Sequence, residues 1–303
     1  MSSSLLTNTA AMTALQTLRS VSNSLQTTEN RISSGFRVAT ASDNSAYWSI
    51  ATSMRADNAA LSAVSDSLGL SAATVDTEYT ALTATVGSDG NSGLTKLQAL
   101  LVEAKTAGID RTKIQADITQ IQQQMKGTAD AATFNGVNWL STTAATPATF
   151  NLVSSFSRVG GTPTIGSITL TIANYSLYTA TQTGILDKVS GPASVNTINI
   201  SALTDSTADQ TTLDGYITQL TTAINSVSSA AADLGAVKNR ISTNTEFVKT
   251  LMDSVDRGVG QLVDADMNAE STRLQALQTQ QQLGVQALSI ANQNSQSILS
   301  LFK

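Results

Sequence analysis

Proline is confined to one central stretch of this chain, and that distribution constrains its fold more than any other feature. The three prolines are Pro147, Pro163 and Pro192, so residues 1–146 and 193–303 contain none. Proline inside an α-helix removes a backbone hydrogen bond, clashes with the preceding turn and costs about 3 kcal/mol. The distribution therefore predicts two long helical arms on either side of a non-helical middle.

Both predicted arms carry a mainly apolar stripe at a seven-residue spacing. In the N-terminal arm its positions are Ala11, Ala14, Leu18, Val21, Leu25, Thr28 and Ile32. In the C-terminal arm they are Leu274, Leu277, Gln281, Gly284, Leu288, Ala291, Ser295, Ile298 and Phe302. Because such a two-position stripe is narrow and partly polar, we expect the arms to pair as an antiparallel coiled coil. Apolar residues off the stripe are then left for contacts between subunits, namely Leu6, Met12, Leu15, Leu283, Ile290, Leu299 and Leu301.

A small β section is predicted at the middle of the chain. Ile168, Leu170 and Ile172 alternate with threonines, and Ile198 and Ile200 flank an asparagine, which is typical of strands. Further helices are predicted at about 44–86, 94–107, 110–132 and 209–252, with breaks at the glycines of 87–93 and 258–260. The predicted fold class is mainly α, a long antiparallel helical coiled-coil rod with a β-hairpin inserted mid-chain.

The composition excludes most catalytic chemistry. Histidine and cysteine are both absent, so disulfides, thiolate nucleophiles, Cys/His zinc sites and histidine acid–base catalysis are ruled out. The 22 acidic and 17 basic residues give a net charge of −5 without a Lys/Arg cluster, and no apolar run is long enough to span a bilayer. We expect no enzyme activity, cofactor, metal, nucleic-acid partner or membrane insertion. The N-terminal residues also lack the features of a Sec signal peptide.

Three groups of polar or aromatic residues have more than one interpretation. The carboxylates of Asp264 and Asp266 could bind a cation, but a pair before a helix more often complements its N-terminal dipole. Arg19, Arg31 and Arg37 are either solvated or paired between subunits. Tyr47 and Trp48 are adjacent aromatics that point in different directions on a helix, so one can pack in the core while the other contacts a neighbouring subunit.

Motifs at both ends of the chain resemble those of bacterial flagellins. The N-terminal ones are Arg31-Ile32-Ser33-Ser34-Gly35-Phe36-Arg37-Val38, Ala41-Ser42-Asp43-Asn44-Ser45-Ala46 and Ser49-Ile50-Ala51. The C-terminal ones are Asp264-Ala265-Asp266-Met267 with Glu270, Gln280-Gln281-Gln282-Leu283-Gly284, Ala291-Asn292-Gln293 and Ile298-Leu299-Ser300-Leu301. Thr133-Phe134-Asn135-Gly136-Val137 resembles the point where the family's helices enter its β-hairpin. Tyr47-Trp48 resembles an alphaproteobacterial branch of the family.

The resemblance implies a domain organisation. Residues 1–36 with 264–303 are expected to form an inner terminal coiled-coil domain, 37–140 with 206–263 a helical rod domain, and 141–205 the hairpin and a short outer segment. The residues expected to make the coiled-coil and subunit contacts are Leu18, Val21, Leu25, Ile32, Tyr47, Trp48, Leu277, Leu288, Ile298, Leu301 and Phe302.

The function implied is that of a structural subunit that self-assembles into the helical flagellar filament. Flagellins are secreted through the flagellar type III apparatus to the extracellular filament. The implied partners are further copies of the chain, paralogous flagellins, an export chaperone, the filament cap and hook-junction proteins. The alternative is the hook–filament junction protein, which shares these termini. A coiled-coil adhesin would need a signal peptide or anchor, and a flagellin metalloprotease would need a His-Glu-x-x-His motif, which a chain without histidine lacks.

Overall fold

The computed structural model describes residues 8–87, 89–142, 148–159 and 162–300; the side chains of residues 159, 163 and 294–300 lie outside the description. The chain divides into two compact units. The first comprises residues up to 59 and from 252 onward, and the second comprises residues 60–251.

Helices dominate the described residues, with short strands between the fourth and fifth helices. In chain order the elements are α1 (Thr9–Ser34), α2 (Ser45–Val86), α3 (Gly93–Glu103), α4 (Arg111–Ala131), β1 (Ser141–Thr142), β2 (Thr149–Val159), β3 (Thr162–Thr171), β4 (Tyr178–Thr179), α5 (Thr207–Val263) and α6 (Met267–Ser300). The mainly helical fold class with a mid-chain β section is thereby confirmed.

The predicted break at Gly258 and Gly260 is wrong, because α5 continues through both residues to Val263. A Cβ atom at position 258 would lie 3.0 Å from Cε of Met54 on α2. The glycine therefore lets the side chain of α2 approach the α5 backbone closely, and packing compensates for the low helix propensity of glycine.

The second unit has a core made mainly by α2, α3, α4 and α5. On α2 and α5 its fully buried side chains recur every seven residues, which is two helical turns: Leu61, Leu68, Val75, Leu82, Leu213, Leu220, Val227 and Leu234. Leu97 and Leu101 on α3 and Ile118 on α4 are buried with them. Helices α2 and α5 are antiparallel there, since Lys238 forms an ion pair with Asp76 while the earlier residue Gly235 lies against the ring of Tyr79. The core thus brings together helices that are far apart in sequence.

Strands β2 and β3 form an antiparallel hairpin, and β1 pairs with β4 in parallel over two residues. A bulge interrupts the hairpin between Val153 and Ser155. Because side chains alternate between the two faces, the extra residue places Phe156 opposite Ile165, on the face turned away from the buried Ile168 and Leu170.

The strand predicted around Ile198 and Ile200 is wrong. Both side chains are buried, but the segment is irregular and packs on α4. Gln122 donates from Nε2 to the Ile198 carbonyl at 3.2 Å, and Gln115 accepts from the Ile200 N–H at 2.8 Å. The alternation therefore reflects a loop whose backbone is hydrogen-bonded by glutamines instead of by a neighbouring strand.

Candidate subunit interface

The first and last helices pair antiparallel within the first unit. At one end, Nδ2 of Asn8 donates to the Ala291 carbonyl at 3.0 Å. At the other end, the Arg31 guanidinium lies 3.0 Å from the carboxylate of Glu270. The start of α1 therefore lies beside the later part of α6, and the end of α1 lies beside the start of α6.

The predicted apolar stripe lies on the less exposed side of both helices. Thr28 and Leu277 are buried, and the other stripe residues of α1 are half-buried: Ala11, Ala14, Leu18, Val21, Leu25 and Ile32. On α6, Leu288 is half-buried and Gln281 is exposed. Gly284 lies against Leu18, because a Cβ there would be 3.0 Å from Cδ1 of that leucine. The stripe residues thus pack the two helices against each other.

The last part of the predicted stripe lies outside the described side chains. Ile298 lies in the backbone of α6, but its side chain is outside the description, and Leu301 and Phe302 lie outside the described residues. Leu6 also lies outside them.

Large apolar side chains remain exposed on α1 and α6 away from the helix–helix contact. Their exposed fractions range from 39% to 63%, and the residues are Met12, Leu15, Met267, Leu283, Val285 and Ile290. Single exposed apolar residues are common, but six of them on two helices that are already paired are candidates for burial against another protein. We call these six residues the outer apolar set.

Tyr47 and Trp48 lie in the first turn of α2, where the Asn44 side chain accepts the Tyr47 N–H at 3.1 Å and so caps the helix. Their exposed fractions are 42% and 38%, and the nearby Ile50 is 48% exposed. The structure therefore places both aromatic rings on the surface of the first unit, and neither fills its core.

Residues 35–38 of the N-terminal motif contact Val263 and Ala265. This crossing is the place where the connection from α1 to α2 lies against the connection from α5 to α6. The N–H groups of Arg37 and Val38 donate to the Val263 carbonyl at 2.7 and 3.2 Å, and Ala265 donates to the Gly35 carbonyl at 2.9 Å. Val38 and Val263 are buried there in an apolar cluster that also includes Ala51 and Val259. The motif residues thus fix the connection from α1 to α2 against the connection from α5 to α6.

Charged residues near this crossing have local structural partners. Asp266 accepts N–H groups of Asn268 and Ala269 at 2.9 and 3.2 Å, so it caps α6 as the dipole interpretation predicted. Arg37 donates from Nη2 to the Leu262 carbonyl at 3.0 Å. Hydrogen bonds from Thr40 lower the pKa of Asp43 below its usual value. Among the described residues, no group of three or more acidic side chains could hold a metal ion.

The partnership of Arg31 with Glu270 was missed by reading the sequence. The sequence predicts Arg31 to be either solvated or paired between subunits, whereas it pairs within the chain. An antiparallel alignment of the two stripes would have placed it opposite Glu270.

The helices of the described residues include no segment with the length and hydropathy that a membrane span requires.

The fold and this surface define a class: a mainly helical structural protein whose first and last helices pair and leave apolar side chains outside the pair. Residues 5–145 match the family model described as the bacterial flagellin N-terminal helical region, and residues 217–302 match the bacterial flagellin C-terminal helical region. The chain belongs to the bacterial flagellin family, whose members are structural subunits of the flagellar filament.

Whole-length relatives agree with this assignment. Flagellin C of Rhizobium meliloti (strain 1021) is 43% identical over 331 aligned positions, covering 99% of both chains. Flagellin A of the same strain is 39% identical over 401 positions, covering 99% of this chain and 100% of the relative. The flagellin of Brucella melitensis biotype 1 is 43% identical over 302 positions, covering 99% of both chains. These relatives place the chain in an alphaproteobacterial branch.

Proposed function

We propose that this chain self-assembles into the flagellar filament by burying the outer apolar set, together with Tyr47, Trp48 and Ile50, against neighbouring copies. The observation that carries the proposal is the exposure of these side chains on helices that are already paired through another stripe. Contacts between unlike surfaces of identical chains extend into a helical polymer when the rotation between neighbours does not close into a ring. The stripe residues Leu18, Val21, Leu25, Ile32, Leu277 and Leu288 then hold the subunit together.

The domain organisation is proposed as the family resemblance implies it. Residues 1–36 with 264–303 form the inner coiled-coil domain, and 37–140 with 206–263 form the surrounding helical domain. Support comes from the bridge between Phe36 and Asp264, which lies where the two proposed domains join. Residues 141–205 supply the hairpin and a short outer segment. The alignment with flagellin A is longer than this chain's 303 residues, so that relative has residues this chain lacks.

The proposed location is the extracellular filament, reached through the flagellar type III export apparatus. The proposed partners are other copies of the chain, an export chaperone, the filament cap and the hook-junction proteins. Co-assembly with paralogous flagellins is also proposed, because the relatives include flagellins A, B, C and D of Rhizobium meliloti.

Seeded growth of the purified chain tests the proposal. Filament fragments are added to monomer, and the length of growth is followed by electron microscopy. We expect long filaments, whereas a hook–filament junction protein would add only a short layer. Growth that stops after such a layer would favour the junction function instead.

A double substitution tests whether the outer apolar set is buried in the filament. Leu283→Gln with Ile290→Gln keeps good helix formers but removes two apolar side chains that are 58% and 60% exposed. If each side chain contributes about 1.5 kcal/mol when buried in the polymer, the critical concentration rises more than tenfold. Ser289→Gln, at an exposed position next to Ile290, is the matched control and should leave growth unchanged. Wild-type growth of the double variant, with helix content preserved by circular dichroism, would refute this surface.

A further inference from the structure

Glu78 is an acidic side chain enclosed in the core of the second unit. It lies on α2 and is 0% exposed. Its Oε1 atom accepts the backbone N–H of Trp139 at 2.8 Å. Its Oε2 atom has no hydrogen-bond partner among the described residues. A charged carboxylate in this position would keep one oxygen buried without compensation, which is strongly unfavourable.

Trp139 links the Glu78 carboxyl group to the β section, because it donates its N–H to Glu78 and also contacts residues of that section. It is fully buried just before β1, and its carbonyl accepts the hydroxyl of Ser176 at 3.0 Å. Its ring packs 5.2 Å from Phe150 on β2 and 6.3 Å from Tyr175, measured between ring centroids. The hydrogen bond that Glu78 accepts from the Trp139 N–H thus connects α2 to a residue that contacts both the hairpin and the segment before β4.

Titratable groups on the neighbouring elements have other partners. Asp76 on α2 pairs with Lys238 of α5, and Asp130 on α4 pairs with Lys126. On the remaining elements, the hydroxyl of Tyr175 donates to Asp233, Asp187 accepts the Thr179 N–H, and Lys126 lies over the Tyr178 ring. Burial raises the pKa values of both tyrosines above their usual value. For Glu78 itself, burial raises the pKa to about 8, and the Trp139 N–H opposes this only in part.

We propose that Glu78 is a base-sensitive latch, whose neutral acid form holds Trp139 and the start of the β section against α2 and whose deprotonation weakens that contact. The neutral form can accept the Trp139 N–H without burying a charge. The deprotonated form keeps the same geometry only at the cost of a buried, half-satisfied carboxylate. Mild alkalinity therefore loosens the β section.

The sign of the pH dependence follows from the proton count. The unfolded carboxyl titrates near 4.5 and the folded one near 8, so between these values the folded state holds one proton more. The contribution of the Glu78 carboxyl group to the free energy of unfolding is fully present below pH 4.5. It is lost as the pH rises through the folded-state pKa of about 8. The folding equilibrium constant of the second unit should fall by up to about tenfold per pH unit in this window.

The test uses the full chain with Trp48→Phe, which leaves Trp139 as the single tryptophan. Urea unfolding is followed by Trp139 fluorescence at several pH values from about 5 to about 9. In Glu78→Gln the amide oxygen still accepts the Trp139 N–H and no proton can be lost, so most of the pH dependence should disappear. Glu103→Gln, a matched change at an exposed position on α3, should keep the parent profile.

A Glu78→Gln profile parallel to that of the parent chain would overturn the latch. If Glu78→Gln does not fold, a carbon-detected NMR titration of the Glu78 carboxyl in the parent chain decides the question. A midpoint near 8 supports the proposal, and a midpoint near the ordinary 4.5 overturns it.

Discussion

Arg31 and Glu270 form an ion pair that links α1 to α6. Their Nη1 and Oε1 atoms are 3.0 Å apart, and the side chains are 28% and 11% exposed. The Lys126–Asp130 pair on α4 is separated by 3.2 Å, but both of its side chains are about half exposed. Coulombic attraction is screened more strongly at the exposed site, so equal distances do not imply equal contributions to stability.

Removing Arg31 should therefore be more costly than removing Lys126. We expect Arg31→Leu to lower the free energy of unfolding by about 2 kcal/mol, because Glu270 is left buried without its partner. The double variant with Glu270→Leu should recover much of that loss. Lys126→Met keeps an apolar side chain beside the Tyr178 ring and should change stability by less than about 1 kcal/mol. Denaturant unfolding followed by circular dichroism measures all of them, and equal effects of the two single variants would contradict this explanation.

At the scale of elements, the turn between α2 and α3 depends on two glycines whose surroundings leave no space for a side chain. Gly87 has φ +75° and Gly93 has φ +57°. A Cβ at Gly87 would lie 1.9 Å from the Ser92 carbonyl oxygen, and one at Gly93 would lie 2.1 Å from that of Thr85. Gly90 has φ +71° but nothing within 4 Å of its Cβ position. A side chain at Gly90 would therefore meet only backbone strain, whereas one at Gly87 or Gly93 would also clash with a backbone carbonyl group.

Alanine at these glycines should give unequal losses. Gly90→Ala is expected to cost about 1 kcal/mol, the ordinary penalty of a left-handed conformation. Gly87→Ala and Gly93→Ala should each cost at least about 3 kcal/mol, since backbone must also move. Urea unfolding of these variants in the Trp48→Phe background, read by Trp139 fluorescence, gives the comparison. Similar losses at Gly90 and Gly93 would show that the turn can relax around the added methyl group.

The helices were well predicted from sequence because their apolar spacing is long and regular. Helix α2 was predicted at about 44–86 and observed as Ser45–Val86, and the glycine-rich stretch after it is the predicted turn. The two errors, at Gly258 and around Ile198, have a common physical origin. In both places a tertiary contact, with Met54 or with the glutamines of α4, replaces the local preference that the sequence pattern reports.

At the scale of the whole molecule, the candidate interface was only partly accessible from sequence. Heptad spacing located the stripe that pairs α1 with α6, because periodicity directly reports a helix face. It did not reveal the Arg31–Glu270 pair or the enclosure of Glu78. Both depend on residues brought together from distant parts of the chain, 239 and 61 positions apart.

Removal of the terminal helices should separate folding from assembly. A chain lacking residues 1–34 and 267–303 keeps every residue of the second unit. With Trp48→Phe also introduced, we expect the Trp139 fluorescence to remain that of a buried indole. Seeded growth of the shortened chain should be abolished because the outer apolar set is gone. Electron microscopy of seeded samples is the measurement. Filaments of normal length from this shortened chain would mean that other surfaces suffice for polymerisation.

The bulge between Val153 and Ser155 also bears on how the hairpin can change length during evolution. Loss or gain of one residue in β2 between the bulge and the tip would exchange the side chains that point to each face, whereas a change of two residues would preserve them. Insertions and deletions in this ribbon among related chains should therefore occur in even steps, or in odd steps accompanied by loss or creation of a bulge.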